Sequence, residues 1–240
     1  MARKLLLDGR RVWLKDYGSV PPVRRALDAV WNVLAGALGA DLLRAPPRHP
    51  ARVSCALESR RIRELAALGV RVPPVLGEGS DALLLGDIGS ALGRELRTAS
   101  DRLRIDTLVG QAFAGIADVH ARGGYLGQAF ARNMAVAEAG IGFLDFEDDP
   151  LEIMPLPDAQ ARDWLMFAFG IADYYHGRAG ALADMMARLR PQVSAGVVQR
   201  VAGVAARLGA LARVARHLGA GGRAFATAVE ALQRGFASRP

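Results

Sequence analysis

A chain of 240 residues, 51% of them apolar, is long enough for one large domain or two small lobes with a real core, and too apolar to stay disordered. Its formal charge of +7 points to acidic partners such as nucleotide, phospholipid or nucleic acid, or to arginine-rich solvated faces. The one cysteine, Cys55, excludes an internal disulfide and a cysteine metal cluster, and no uncharged stretch approaches the roughly 18 apolar residues of a membrane span.

In chain order, "KLLLDGRRVWLK" is two short apolar runs around Asp8-Gly9, a hairpin signal. In its second strand Trp13 and Lys15 share one face, and Val12 and Leu14 the other. "VPPV" at 20–23 breaks the chain, and a helix follows with Leu27, Val30, Trp31, Leu34 and Leu38 at helical spacing. A Pro-rich loop at 44–50 leads to "ALESRRIRELAALG", a second helix stopped by Gly69. "VRVPPVLGEG" reads as extended chain and "DALLLGDIG" as a strand ending at Gly86-Asp87, the expected hinge. Cys55, just before this helix, is expected to be a small buried apolar residue.

From there the pattern turns helical. "ALGRELRTAS" and "DRLRIDTLVGQAFAGIADVHARGG" read as helices, the second ending at Gly123-Gly124. "MAVAEAGIGFLDFE" reads as two short strands around Ala139-Gly140. Beyond Pro157 three or four helices are broken near Gly177, Pro191 and Gly219–Gly222. The expected class is α+β, a strand-containing part over 1–86 followed by a mostly helical part over 87–240. Between Asp184 and Glu230 stand seven arginines and no acid. There Val197, Val201, Val204, Leu208 and Leu211 form one stripe, with Arg213 and Arg216 opposite. Arg200 and Arg207 intrude on the apolar side, so a helix packed on the protein fits better than a membrane-surface helix.

The chemistry concentrates between His120 and Asp149. A turn places Asn133 after a helix, and a hairpin carries Asp145 back toward it, twelve residues on. One carboxylate and one amide oxygen are what Mg²⁺ accepts when substrate phosphates fill its remaining sites. Upstream, Lys15 on a strand could meet phosphate oxygens, and Glu58 on a helix could hold that lysine. Each residue also has a local reading. Lys15 could be an edge-strand lysine, Glu58 could pair with Arg61 along its helix, and Asn133 and Asp145 could cap turns.

Taken together these pieces carry a resemblance. "LGQAFARN" resembles a protein-kinase catalytic loop, "FLDFE" the metal-binding Asp-Phe-Gly segment with Glu147 in place of the glycine, and "VWLK" the strand bearing the nucleotide lysine. "LESRRIRELAALGVRVPPVL" and "LLLGDIG" resemble the next helix, strand and interlobe linker of atypical bacterial kinases. The likeness is to lipopolysaccharide-core (Kdo/heptose) kinases and their relatives, over about residues 4 to 175. It implies a two-lobed protein-kinase-like fold, with a small strand-containing N-lobe (1–86) and a helical C-lobe (87–240). It implies ATP and Mg²⁺ as cofactors. Lys15 would bind nucleotide phosphate, Glu58 would orient it, and Asp87 would reach the nucleotide. Asn133 and Asp145 would bind Mg²⁺. Gln128 takes the place of the Asp that accepts the acceptor's proton. Asp163 would be a buried brace for the loop, with His120 packing beneath it.

Three departures stand out. Gln128 cannot take a proton as a carboxylate can. No glycine-rich phosphate loop fits before Lys15, where only "DGRRVW" stands. Trp13 occupies a position that kinases keep small. The expected activity is transfer of the ATP γ-phosphoryl group to a hydroxyl of a sugar, lipid or protein. The alternative is a catalytically impaired pseudokinase that binds or regulates a partner. A basic module for an anionic membrane surface or nucleic acid comes third, and the lack of aromatics among the basic residues argues against single-stranded nucleic acid. "MARKLLLDGRR" is too short in its apolar run for a signal-peptide core, so the expected location is the cytoplasm, including the inner face of the membrane.

Overall fold

The computed structural model describes residues 2–18 and 21–237. Val20, within the expected chain break, lies outside the described residues; Pro21 and Pro22 open the first helix. The chain is α+β, with a small antiparallel sheet toward the N-terminus and helices after it.

Strands β1 (Ala2–Leu7) and β2 (Arg10–Asp16) form the expected hairpin. Asp8 and Gly9 at its tip both have positive φ, +49° and +75°, which gives a two-residue turn the twist of its flanking strands. Strands β3 (Val75–Glu78) and β4 (Ala82–Gly86) complete a sheet of order β1-β2-β4-β3. β2 is therefore interior, and Lys15 is not an edge-strand lysine. Residues directly opposite share a face, so Trp13 and Lys15 stand with their partners Leu85 and Leu83.

Helix α1 (Pro22–Ala37) and α2 (Ala51–Ala67) separate β2 from β3. α2 buries Cys55, Ile62 and Leu65 on the same stripe as Glu58, and positive-φ Gly69 follows its end. After β4 come a two-residue strand β5 (Ser90–Ala91), α3 (Leu92–Thr98) and α4 (Arg102–Ala121). Hairpin β6 (Met134–Ala137) and β7 (Gly140–Phe143) pairs with β5 in a second small sheet. Four helices follow: α5 (Leu156–Ile171), α6 (Ala179–Leu189), α7 (Ala195–Ala215) and α8 (Gly219–Gly235). Phe113 of α4 stacks on Trp164 of α5 at 5.3 Å, and Trp164 meets Phe236, after α8, edge-on at 5.3 Å. One apolar cluster runs from Leu65 and Leu83 through these rings to Leu232.

Gly86 ends the sheet, but not every earlier segment lies with the strands. Arg162 of α5 donates to the carbonyls of Leu42 and Arg44, both at 2.8 Å, and Arg207 of α7 donates to Gly39 O at 2.7 Å. This accounts for arginines on the apolar side of α7. Arg207 pins the chain after α1, and Arg200 pairs with Asp158. The rest of the α7 stripe, Val197, Val201, Val204 and Leu208, is buried as a packed helix requires, while Leu211 is exposed.

Candidate functional site

Hairpin β6–β7 explains the spacing of Asn133 and Asp145. Met134 pairs with Phe143, and the Leu144 N–H donates to Asn133 O at 2.8 Å, which places Asp145 beside Asn133. Asp145 has φ +67°, a left-handed conformation that Asp tolerates better than most residues and that often marks a functional position.

Lys15 reaches this point from β2. Its Nζ lies 2.5 Å from Glu58 Oε2, 2.5 Å from Asp145 Oδ1 and 3.4 Å from Glu147 Oε2. Glu58 is 1% exposed on the apolar stripe of α2, a position that a carboxylate tolerates only when paired. Its partner is Lys15, not Arg61, which instead bonds Glu64 and Tyr125 O. The buried Tyr17 hydroxyl also donates to Glu58 Oε2 at 2.5 Å. Burial pulls the Lys15 ammonium down, but Glu58, Asp145 and Glu147 outweigh it and hold the group well above its ordinary value. Burial pushes the Glu58 carboxyl up, against the downward pull of Lys15. Burial, with Glu58 beside it, raises the Tyr17 phenol too, so it stays a donor.

One ammonium thus faces three carboxylates, an excess of negative charge that a cation would balance. Glu58, Asp145 and Glu147 present oxygens within 4.8 Å of one another. Asn133 uses Nδ2 on Gln128 O at 3.1 Å, and its Oδ1 makes no hydrogen bond among the described residues. Carboxylate and amide oxygens are hard ligands, so this donor set fits Mg²⁺ rather than a thiophilic metal.

These groups line a cleft of about 460 Å³, closed elsewhere by Trp13, Pro73, Leu85 to Gly89, Arg132 and Leu144. That volume is in the range of small-molecule sites. Asp87 lies in the cleft, but its oxygens are taken. Oδ1 accepts from the Trp13 indole at 2.9 Å, and Oδ2 pairs with Arg11 at 3.2 Å. The indole, held this way, forms part of the wall.

Gln128 sits outside this cleft, in a second cavity of about 590 Å³ shared with Trp31, Arg48, Phe130, Asp148 and Phe225. Gly127, with φ +85°, lets the loop approach the chain at Asp148 and Pro150; a Cβ there would meet Pro150 Cδ at 3.0 Å. Gln128 Nε2 donates to Asp148 Oδ2 at 2.7 Å, leaving Oε1 without a partner among the described residues. Arg48 grips both Asp148 oxygens at 3.0 Å and also bonds Asp28. Burial still pushes the Asp148 carboxyl up to about 6.

Beneath the loop lies Asp163, fully buried. It accepts the N–H groups of Leu126 and Gly127 at 2.7 and 2.8 Å and contacts His120 Nε2 at 3.0 Å. Neighbouring Arg162, also of α5, donates to Gly127 O at 3.2 Å.

Several residues at the site escaped sequence reasoning. Tyr17 carried a signal, two residues past Lys15 on the same strand-like run. Asp148 carried one too, within the acidic run after Phe146. Arg48 carried none, because its partner stands 100 residues away. Arg132 borders both cavities; its guanidinium lies 4.2 Å from the Phe130 ring centre and has no carboxylate partner among the described residues. No protein-family model and no curated protein matches the chain.

Proposed function

We propose that the chain is a kinase-like phosphotransferase, moving the ATP γ-phosphoryl group to a hydroxyl of a sugar, lipid or protein. The observation that carries this reading is the convergence of Glu58 and Asp145 on Lys15 Nζ, each at 2.5 Å, from positions 43 and 130 residues away in sequence. Local capping or pairing explains no such three-way meeting, and phosphoryl transfer calls for one: a held lysine beside a metal-binding carboxylate.

In this reading the base enters the cleft beside Trp13, against Leu85 and Ile88. Lys15, on binding phosphate, exchanges Asp145 for phosphate oxygens and keeps Glu58. Asp145, Asn133 and Glu147 would hold Mg²⁺, which would supply neutralisation of charge on the nucleotide phosphates. The acceptor hydroxyl lies in the second cavity, where Gln128 Oε1 accepts its hydrogen bond. Its oxygen bonds to the γ-phosphorus as the bond to the β–γ bridging oxygen breaks, the electron pair leaving with ADP. The proton lost late in this step passes to Asp148, the carboxylate that Gln128 holds. Because phosphoryl transfer depends mainly on positioning and charge, Gln128 serves as an orienting group. Arg132, between the two cavities, stabilises the charge on the phosphoryl group in flight.

A second reading, a nucleotide-binding pseudokinase, draws on one observation. The two-residue Asp8-Gly9 turn offers no glycine-rich loop to cradle phosphates. Transfer or hydrolysis of γ-labelled ATP separates the two. Turnover by the wild type that Asp145→Asn abolishes supports the enzyme. Equal label release from both proteins rejects it, and nucleotide binding without release gives the site to the pseudokinase reading.

A further inference from the structure

Helix α1 is inverted. Its polar face holds it to the protein: Asp28 pairs with Arg48, Asn32 makes two hydrogen bonds to the Ala45 main chain, and the small Ala35 is buried. Its apolar face is turned to solvent. Val23, Leu27, Val30, Val33, Leu34 and Leu38 are exposed, from 40% at Leu38 to 72% at Val33. A helix that serves only its own fold does the reverse. At 16 residues it is about 24 Å long at roughly 1.5 Å per residue, too short to cross a bilayer and well suited to lie along one.

The surroundings select the occupant. Arg207 ties the chain after α1 to α7. Toward the end of α7 come Leu211 and Val214, both exposed, with exposed Leu218 just past the helix; exposed Arg213 and Arg216 stand on the other face of α7, and exposed Arg223 follows on α8. This belongs to the 45-residue stretch of seven arginines without an acid. A chain at +7, with this acid-free stretch next to an exposed apolar ridge in sequence, complements an anionic lipid surface. A second copy of the chain, itself at +7, meets repulsion there, and nucleic acid has no use for the aliphatic ridge.

We infer that the exposed face of α1, with the arginine-flanked end of α7, docks the protein onto an anionic membrane surface. The inference stands whether or not the cleft turns over nucleotide. Co-sedimentation of the full chain with phosphatidylcholine vesicles, with and without phosphatidylglycerol, tests it. Binding is expected only to the anionic vesicles. It is weakened by high salt, at least about tenfold by Leu27→Asp/Leu34→Asp, and severalfold by Arg213→Glu/Arg216→Glu. Melting temperatures should hold in all variants, because the altered side chains are exposed; Leu27→Ser/Leu34→Ser replaces the Asp pair if that pair fails to fold. Absence of wild-type binding, or equal binding by the leucine variants, overturns the proposal. So does a dimer that the leucine variants dissolve in the absence of vesicle binding, which gives the face to a second copy.

Discussion

Two charged clusters flank the loop at residues 126–133, and they are built on opposite principles. Around Asp163 every hydrogen bond that the carboxylate accepts comes from a fixed partner, two buried backbone N–H groups and the His120 ring, and the one loose end is the His120 Nδ1, which has no partner among the described residues. Around Lys15 the balance fails. Three carboxylates crowd one ammonium, Asp145 keeps a left-handed backbone, and Asn133 Oδ1 is left without a hydrogen bond among the described residues. A satisfied network rigidifies a fold. A crowded, partly satisfied one costs stability and is kept where a ligand completes it. The contrast marks the first cluster as a brace of the fold and the second as the candidate site.

That contrast can be broken by substitution. Asp163→Ala strands two backbone donors and a histidine in the interior, at about 3–5 kcal/mol, so its melting temperature is expected to fall by roughly 6–20 °C. A fall of under about 3 °C would demote the brace. Arg132→Ala should lower the melting temperature little and turnover by about 10²-fold or more, since its charge meets only the Phe130 ring and no carboxylate among the described residues. A stability loss without a rate loss would make it a structural residue.

Acidity sharpens the comparison further. Folding raises the Asp148 pKa from its ordinary 3.8 to about 6. The stability linked to this proton is therefore fully present below about pH 4 and is lost as pH rises through about 6. On the proposed mechanism turnover should run the other way, rising through about pH 6 as Asp148 ionises. Asp148→Asn should be slow at every pH, and an unchanged profile in that variant would remove Asp148 from the mechanism. The smallest effect is expected from Glu147→Gln. Removing one of three crowded charges should hold the melting temperature or raise it by up to about 3 °C. A fall as large as that of Asp163→Ala would erase the distinction between the clusters.

Much of this was legible in the sequence where the cause is local. Asp8-Gly9 dictates its hairpin because both residues accept positive φ. The apolar runs on either side of Glu138 dictate the β6–β7 hairpin that returns Asp145 to Asn133. Glu58 betrays itself as a carboxylate on the stripe of Cys55, Ile62 and Leu65. What was not legible depends on distant partners. Periodicity says which side chains of α1 share a face, but not which face turns inward. That choice rests on Arg48 and the Ala45 main chain, from a proline-rich loop without pattern. Likewise Arg207 looks like an intruder on α7 until Gly39, 168 residues away, supplies its acceptor. Gln128 looks like a lost base until Asp148 is placed 2.7 Å from its amide. A Gln128→Asp change would set two carboxylates against each other there, so it is expected to slow turnover rather than restore it.

The central claim is that the charge imbalance at Lys15 awaits a metal-bound nucleotide. A melting titration with ATP, in Mg²⁺ and in chelator, tests it most directly. The account predicts a saturable rise with Mg–ATP, equivalent to about 2.7 kcal/mol at a hundredfold excess over Kd, that chelator largely removes and Asp145→Asn largely abolishes. A melting temperature unmoved by saturating Mg–ATP, or moved equally without the metal, would contradict it.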